Sequence, residues 1–569
     1  MVTTHHNDSE NPAQARRNLL GALSVYPLRH FMESMLTPTL ILYNGDFYTQ
    51  WEAQPRARAI AIYGGRIVAV GSDAEVRALA GTNTEVIDLG GRFALPGLTD
   101  SHVHFYDWAL GRRGVRLSGA RSLGEMQGRI RERLAGLEPG RWLVGQGWNE
   151  TEWEHPVMPS AADLDALSTA HPLFFRRSDM HSAVVNHAAL ALAGITAETP
   201  DPAGGVIERD ERGQPTGRLF EMAIDMVHVH AATPTDEELD TALRETIREA
   251  HGLGLTGLHD QRMKGHGEGK VALRAYGRLE AAGDLKLRLT TNVDAEEREH
   301  VFATGLYSGF GNERLQLGHM KVFVDGSLGS QTAWMVEPFE GTTDNYGVVV
   351  TPPEEIEVVV REAQQRGWAI SVHAIGDRAN REVLDIFEEL ASERNPATRL
   401  PHRIEHVQTI QPADLPRLAR LGIVASVQPI HATDDMVAAD RLWGARARDT
   451  YAFRRLLDSG AVLALGSDVP VADPNPFAGI HAAVTRQRRD GTPEGGWQPQ
   501  ERLTLEEAVY GYTLGAARAV GRERVQGRLA PGYFADIIVL DRNLFEVAES
   551  ELAETQVEMV VFDGEVQAG

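Results

Sequence analysis

The sequence predicts an α/β chain: a (β/α)8 TIM barrel with an insertion after its first strand and a small composite β domain built from both termini. Three observations carry this. Eight short apolar runs are spread through the middle of the chain, most of them separated by charged stretches of helical period such as Glu354 to Arg366 and Asn380 to Ser392. Both ends read instead as short strands joined by glycine turns. The interval between the first and second runs is too long for a single helix. An open doubly wound sheet would carry a glycine-rich phosphate turn after an early strand, and the sequence has none.

In chain order, residues 1–38 read as an N-terminal tail. Arg16-Arg17 followed by Asn18 to Tyr26 has the look of a leader, but the apolar stretch is short and no clean cleavage site follows. Met35 is an alternative start. Residues 39–96 form the first part of the β domain. Thr39 to Thr49, Ala59 to Gly71 and Thr84 to Leu95 each read as strand, turn and strand, with turns at Asn44-Gly45, Gly64-Gly65 and Gly90-Gly91. The barrel spans 97–520. Its eight strands are expected in Ala94 to His104, Leu255 to Asp260, Leu285 to Val293, Leu315 to Asp325, Trp368 to His373, His402 to His406, Ile423 to Gln428 and Val462 to Asp468. The insertion covers about 105–240 and holds a hairpin from Gly205 to Phe220 turning near Arg212-Gly213. Residues 521–569 return to the β domain through Gly527 to Leu540 and Gln556 to Phe562.

The 569 residues are 42% hydrophobic and 24% charged, enough for a large buried core. A net charge of −24 argues against a nucleic-acid surface, and no apolar run is long enough to span a bilayer. There is no cysteine, so disulfides, thiolate metal sites and thiol nucleophiles are excluded. The expected location is the cytoplasm. A metal would have to be held by His, Asp, Glu or a modified Lys, which directs attention to the 21 histidines. His5-His6, His228 and His230 read as incidental.

The first barrel run ends in Asp100-Ser101-His102-Val103-His104. Strand side chains alternate, so His102 and His104 face the same way and can grip one cation. A lone pair of this kind is weak, but the pattern recurs: His373, His406 and Asp468 each close another apolar run. In a parallel barrel these ends converge on one opening, and four strands ending in ligand-type residues point to a metal site. Lys321, Phe323 and Asp325 share a strand face. Two readings of Lys321 stand on spacing alone: an ammonium paired with Asp325, or a carbamate made with CO2 that bridges two cations. In the insertion, Trp148 faces an apolar substrate group or packs the insertion core. His181 is a second candidate in the insertion, with a structural histidine as the alternative.

These residues together resemble the metal-dependent amidohydrolase superfamily, and within it the N-substituted formamide deformylase-like (amidohydrolase 3) branch. The resemblance covers residues 39 to 569 and rests on L-P-G-L-T-D-S-H-V-H at 95–104, G-L-T-G-L-H-D at 254–260 and K-V-F-V-D-G-S-L-G-S at 321–330. It rests also on V-H-A-I-G-D-R-A at 372–379, R-I-E-H at 403–406, G-S-D at 466–468 and G-R-L-A-P-G-Y-F-A-D-I-I-V-L-D at 527–541.

The resemblance implies that His102 and His104 bind the more buried metal and that His373 and His406 bind the more exposed one. Lys321, as a CO2-derived carbamate, would bridge the two. Asp468 would contact the buried metal and shuttle the proton. The implied activity is hydrolysis of a C–N bond in an amide, N-substituted formamide or carbamate-like small molecule by a metal-held hydroxide. Two zinc ions are the first expectation, with Mn, Fe, Co or Ni as fits. Asp468 and His181 are the expected catalytic groups, and Trp148, His181 and Asp325 the expected substrate contacts. A homodimer is a family expectation. A deaminase or a lactone or ester hydrolase of the same superfamily is the alternative, and a non-catalytic binding protein is the reading from another class.

Overall fold

The structure, a computed structural model, describes residues 37–567 apart from 113, 232–233 and 262–267. The tail, with Arg16-Arg17, His5-His6 and Met35, lies outside the described residues.

The eight expected apolar runs supply the eight barrel strands. They are β1 (Leu98–Val103), β2 (Leu255–Asp260), β3 (Arg288–Asp294), β4 (Leu315–Phe323), β5 (Ile370–Ala374), β6 (Arg403–His406), β7 (Val424–Val427) and β8 (Val462–Leu465). They lie side by side in chain order and every neighbouring pair is parallel. Nearly every residue in them is buried, which is why they read as unbroken runs rather than as alternating ones. The ring closes beyond the end of β8. Asp468 N–H donates to the His102 carbonyl at 2.7 Å, and His104 N–H donates to the Val469 carbonyl at 2.8 Å.

Amphipathic helices cover the barrel. Pro353–Gln365 begins with proline in its first turn and Glu354 and Glu355 near its positive end; Ile356, Val359, Val360 and Ala363 are buried at helical spacing. Asp236–Gly252 starts from a capping box between Thr235 and Glu238. Among the described residues no helix is long and apolar enough to cross a membrane.

The insertion folds as its own six-stranded sheet, including the expected hairpin, Gly205–Arg209 against Pro215–Glu221. The two chain ends build two further sheets. Ile537–Leu540 pairs antiparallel with Phe93–Pro96, joining the late segment to the early one. Leu42, Ile60 and Ile62 from one sheet pack on Phe47, Ala94, Ile537, Val539 and Val561 from the other.

Two sequence expectations need correction here. Ala59–Tyr63 and Arg66–Gly71 do form a hairpin. The strands either side of Asn44-Gly45 and of Gly90-Gly91 instead go to different sheets, because each turn carries the chain across the sandwich. The first apolar run is likewise two strands that part at Gly97, where an added Cβ would lie 2.2 Å from Thr256 Oγ1.

Candidate metal centre

The strand ends deliver the histidines. His102 and His104 leave β1 with their rings 5.5 Å apart, and His102 lies 4.7 Å from His406, which lies 4.6 Å from His373. Asp468 sits among them. Its Oδ1 is 3.3 Å from His102 Nε2 and 3.2 Å from His104 Nε2; its Oδ2 is 3.8 Å from His431 Nε2. Two residues reach this position on strained backbone: His406 has φ 76° and Asp468 φ 65°, in the left-handed region that side chains disfavour. Gly466 allows the final approach, since a Cβ there would fall 2.6 Å from both Asp100 Oδ1 and His102 N. Asp100 accepts from the backbone N–H groups of His102 and Ser467, pinning β1 to the chain after β8.

For three of the rings, hydrogen bonds fix which nitrogen is free. His102 Nδ1 meets Glu405 Oε2 at 2.7 Å, leaving Nε2. His373 Nε2 donates to the Gly326 carbonyl at 3.0 Å, leaving Nδ1. His406 Nδ1 donates to Gln428 Oε1 at 2.9 Å, leaving Nε2. Burial lowers His102 to about 4 against the pull of Asp468 and Glu405, and holds His373 and His406 well below the usual imidazole range. All three are neutral near pH 7, the state a metal needs. Burial opposes ionisation of Asp468, but the surrounding imidazoles keep its carboxyl far below the usual carboxylate range.

Glu405 and Arg403 are functional-site residues that the strand-end reading passed over. Both are fully buried. Arg403 forks onto Glu405, and Ser371 Oγ donates to Glu405 Oε1 at 2.6 Å. The charged pair orients His102 in the way an outer carboxylate supports a metal-binding histidine. The signal was present in R-I-E-H, where period two puts Arg403 and Glu405 on one face. His431 was also missed. It lies in the first turn of the helix Pro429–Asp434, where strand alternation gives no cue.

Lys321 on β4 is 1% exposed and its Nζ has no hydrogen-bond partner. Burial lowers its pKa to about 8, against Glu405 and Asp468. Its charge in turn depresses His102, His373 and His406, so it sits among them. The expected ion pair with Asp325 is not formed. Asp325 lies beyond the end of β4, where alternation stops, and accepts from the N–H groups of Trp334, Ile375 and Gly376. Asp325 therefore holds loops and does not line the cavity, a correction to its expected substrate contact. Trp148 is corrected too: it is wholly buried against Trp153 in the insertion core, and its neighbours Gly147 and Asn149 line the cavity in its place.

That cavity has a volume of about 620 Å³. His181, His373, His406, His431 and Asp468 share its wall with insertion residues such as Arg177. His181 Nδ1 meets Glu221 Oε2 at 2.7 Å, and its ring lies 4.9 Å from His373. Burial pulls the His181 pKa down, but the Glu221 carboxylate outweighs it and the net result is about 9.

The donor set fits divalent cations. His102, His104 and Asp468 bring ligand atoms within 4.8 Å of one another, and so do His406, His431 and Asp468. Among the buried atoms without a hydrogen-bond partner are His102 Nε2, Lys321 Nζ, His431 Nε2 and Asp468 Oδ1. Buried polar atoms left unpaired are costly, and here they gather at one point. Two groups sharing Asp468 support a binuclear divalent-metal centre.

A parallel eight-stranded barrel with such a centre at its strand ends defines a metal-dependent hydrolase. Residues 85–568 match the model of the Amidohydrolase family, and the chain belongs to that family. It is 34% identical over 515 residues to Protein LONG AFTER FAR-RED 3 of Arabidopsis thaliana, covering 89% of this chain and 88% of that one. It is 29% identical over 544 residues to N-substituted formamide deformylase of Arthrobacter pascens, covering 92% and 97%. Among solved structures it resembles an uncharacterized metal-dependent hydrolase from Pyrococcus horikoshii, with TM-score 0.72 and 27% identity over 90% of this chain and 99% of that one.

Proposed function

We propose that this metal-dependent hydrolase cleaves the C–N bond of an amide, an N-substituted formamide or a carbamate-like small molecule, using two cations with zinc as first choice. The observation that carries the reading is the placement of Asp468 between His102 and His104 on one side and His406 on the other, with the unpartnered amine of Lys321 buried nearby. His102, His104 and Asp468 would hold one ion, and His373 and His406 the other.

The lowered pKa of Lys321 supports a larger share of free amine near neutral pH than an ordinary lysine has, and the free amine is the form that attacks CO2; the product is a carbamate and one proton, and the new carboxylate would bridge the ions. Bound cations supply Lewis acidity at a carbonyl and make water acidic enough to react near neutral pH. Asp468, ionised, takes the proton of the attacking water and returns it to the leaving nitrogen as the C–N bond breaks. His181, kept cationic by Glu221, donates from Nε2 to the substrate carbonyl oxygen as negative charge develops on it. The similarity to the Arthrobacter enzyme makes N-formyl amines the first substrates to try.

The test is metal content by mass spectrometry on protein purified without chelator or affinity nickel, followed by a screen of amides and N-formyl compounds. About two ions per chain with turnover is the expected result. About one ion would leave Lys321 an amine and move deaminase substrates forward. No ion, even after zinc or manganese with bicarbonate, overturns the reading.

A further inference from the structure

One buried amide beside the centre is only half used, and the backbone fixes which half. Gln261 follows directly on β2; it is 0% exposed, and its own N–H donates to the Val103 carbonyl at 2.7 Å. The His319 N–H donates to Asn292 Oδ1 at 2.8 Å. A backbone N–H can only donate, so the oxygen of the Asn292 amide is identified and its Nδ2 faces Gln261. That Nδ2 donates to Gln261 Oε1 at 2.7 Å. Turning the Gln261 amide over would set two N–H groups against each other. The end left over is therefore Nε2, and it has no hydrogen-bond partner. A buried donor without an acceptor is costly.

The same neighbourhood holds a second such donor. Gln261 Oε1 lies 3.1 Å from Ser371 Oγ, which carries the amide from β2 across to β5. Lys321 stands beside Ser371 in register on β4, so the two side chains leave the sheet on the same face. Lys321 Nζ is buried without a partner, as Gln261 Nε2 is. Two donors cannot satisfy each other. An acceptor between them satisfies both, and a carboxylate built on Nζ is such a group. Each of its oxygens has two lone pairs; bridging two ions uses one on each oxygen and leaves the other for a hydrogen bond.

We propose that Gln261 is a positioning residue for the carbamate of Lys321: its Nε2–H donates to a carbamate oxygen and holds the group in the orientation that bridges the two ions. The proposal rests on the carbamate reading above. The amine nitrogen bonds to the carbon of CO2 and gives up one proton to water; Gln261 takes no part in that exchange and acts on its product.

The test uses the full chain, stripped of metal and CO2 and then reloaded with zinc and isotope-labelled bicarbonate. The carbamate is counted by its carbon NMR signal across a bicarbonate titration in parent and in Gln261→Met, which keeps the length of the side chain but has no donor. Lys321→Met identifies the signal as lysine-borne. Zinc per chain and melting temperature are measured alongside, and reloaded parent is crystallised. In the parent crystal, Gln261 Nε2 should lie about 2.7–3.2 Å from a carbamate oxygen. Gln261→Met should need roughly 10- to 100-fold more bicarbonate for half-occupancy, the usual cost of losing a partner of a metal-binding group. A packing role alone would lower the melting temperature and leave that midpoint in place. A midpoint within twofold of parent in a folded Gln261→Met protein overturns the proposal. So does a parent carbamate with both oxygens beyond about 3.5 Å from Nε2, a result that needs no variant to fold. A parent that takes up zinc but shows no lysine-borne signal overturns the carbamate reading itself, and this role with it.

Discussion

At the scale of single residues, three rings of the centre each have one nitrogen already held: Glu405 holds His102, the Gly326 carbonyl holds His373 and Gln428 holds His406. His181 differs in having a carboxylate at its back, and this has a consequence for pH. An imidazolium with pKa near 9 is charged below that value and loses its charge as pH rises through it. Glu221→Gln removes the anion responsible, so the His181 pKa falls. The alkaline limb of kcat/KM should therefore move to lower pH in the variant, as a pH–rate profile would show; an unmoved limb would rule out His181 as the donor to the carbonyl. The histidines at strand ends were legible because a strand has a period of two and its end is marked by the change from apolar to polar. Trp148 and Asp325 were misplaced because both lie where that period no longer holds, at a bulged strand end and in a loop. No pattern of sequence spacing reports which way such side chains turn.

At the scale of elements, the eight barrel strands were legible because parallel strands are buried on both faces and interrupted by amphipathic helices. The two terminal sheets were less so. A glycine turn announces a change of direction, but not whether the next strand pairs with the last one or crosses to a facing sheet. One tight junction between elements is at Gly466, where the end of β8 approaches β1. Gly466→Ala would force a methyl group against His102 N and Asp100, so β1 and the segment carrying Asp468 must separate. Overpacking of this kind costs about 1–3 kcal/mol. A lower melting temperature together with weaker metal retention is the expected outcome, and a variant that keeps both parental values would show that the junction has room to spare.

At the scale of the whole molecule, the barrel is tied to the terminal sheets by Arg288. Its guanidinium pairs with Asp536 and Asp563 and lies 3.9 Å from the centre of the Phe534 ring. Arg288→Met leaves Asp536 buried with an uncompensated charge, at a cost of about 3–5 kcal/mol. Thermal unfolding should show a large loss for this variant and a partial recovery when Asp536→Asn is added; a single variant as stable as parent would contradict the assigned role. The closure of the barrel has a further meaning when the chain is viewed as something made in order. His102 and His104 leave the ribosome early, while the segment that carries Asp468 and seals β1 arrives late: Ser467 follows its partner Asp100 by 367 positions. The early pair can touch a cation, but Asp468, the carboxylate set between it and His406, arrives only when almost the entire barrel has been synthesised. Full metal retention would thus report that synthesis has gone nearly to completion, since a chain released before Asp468 lacks the carboxylate that both groups of ligand atoms share.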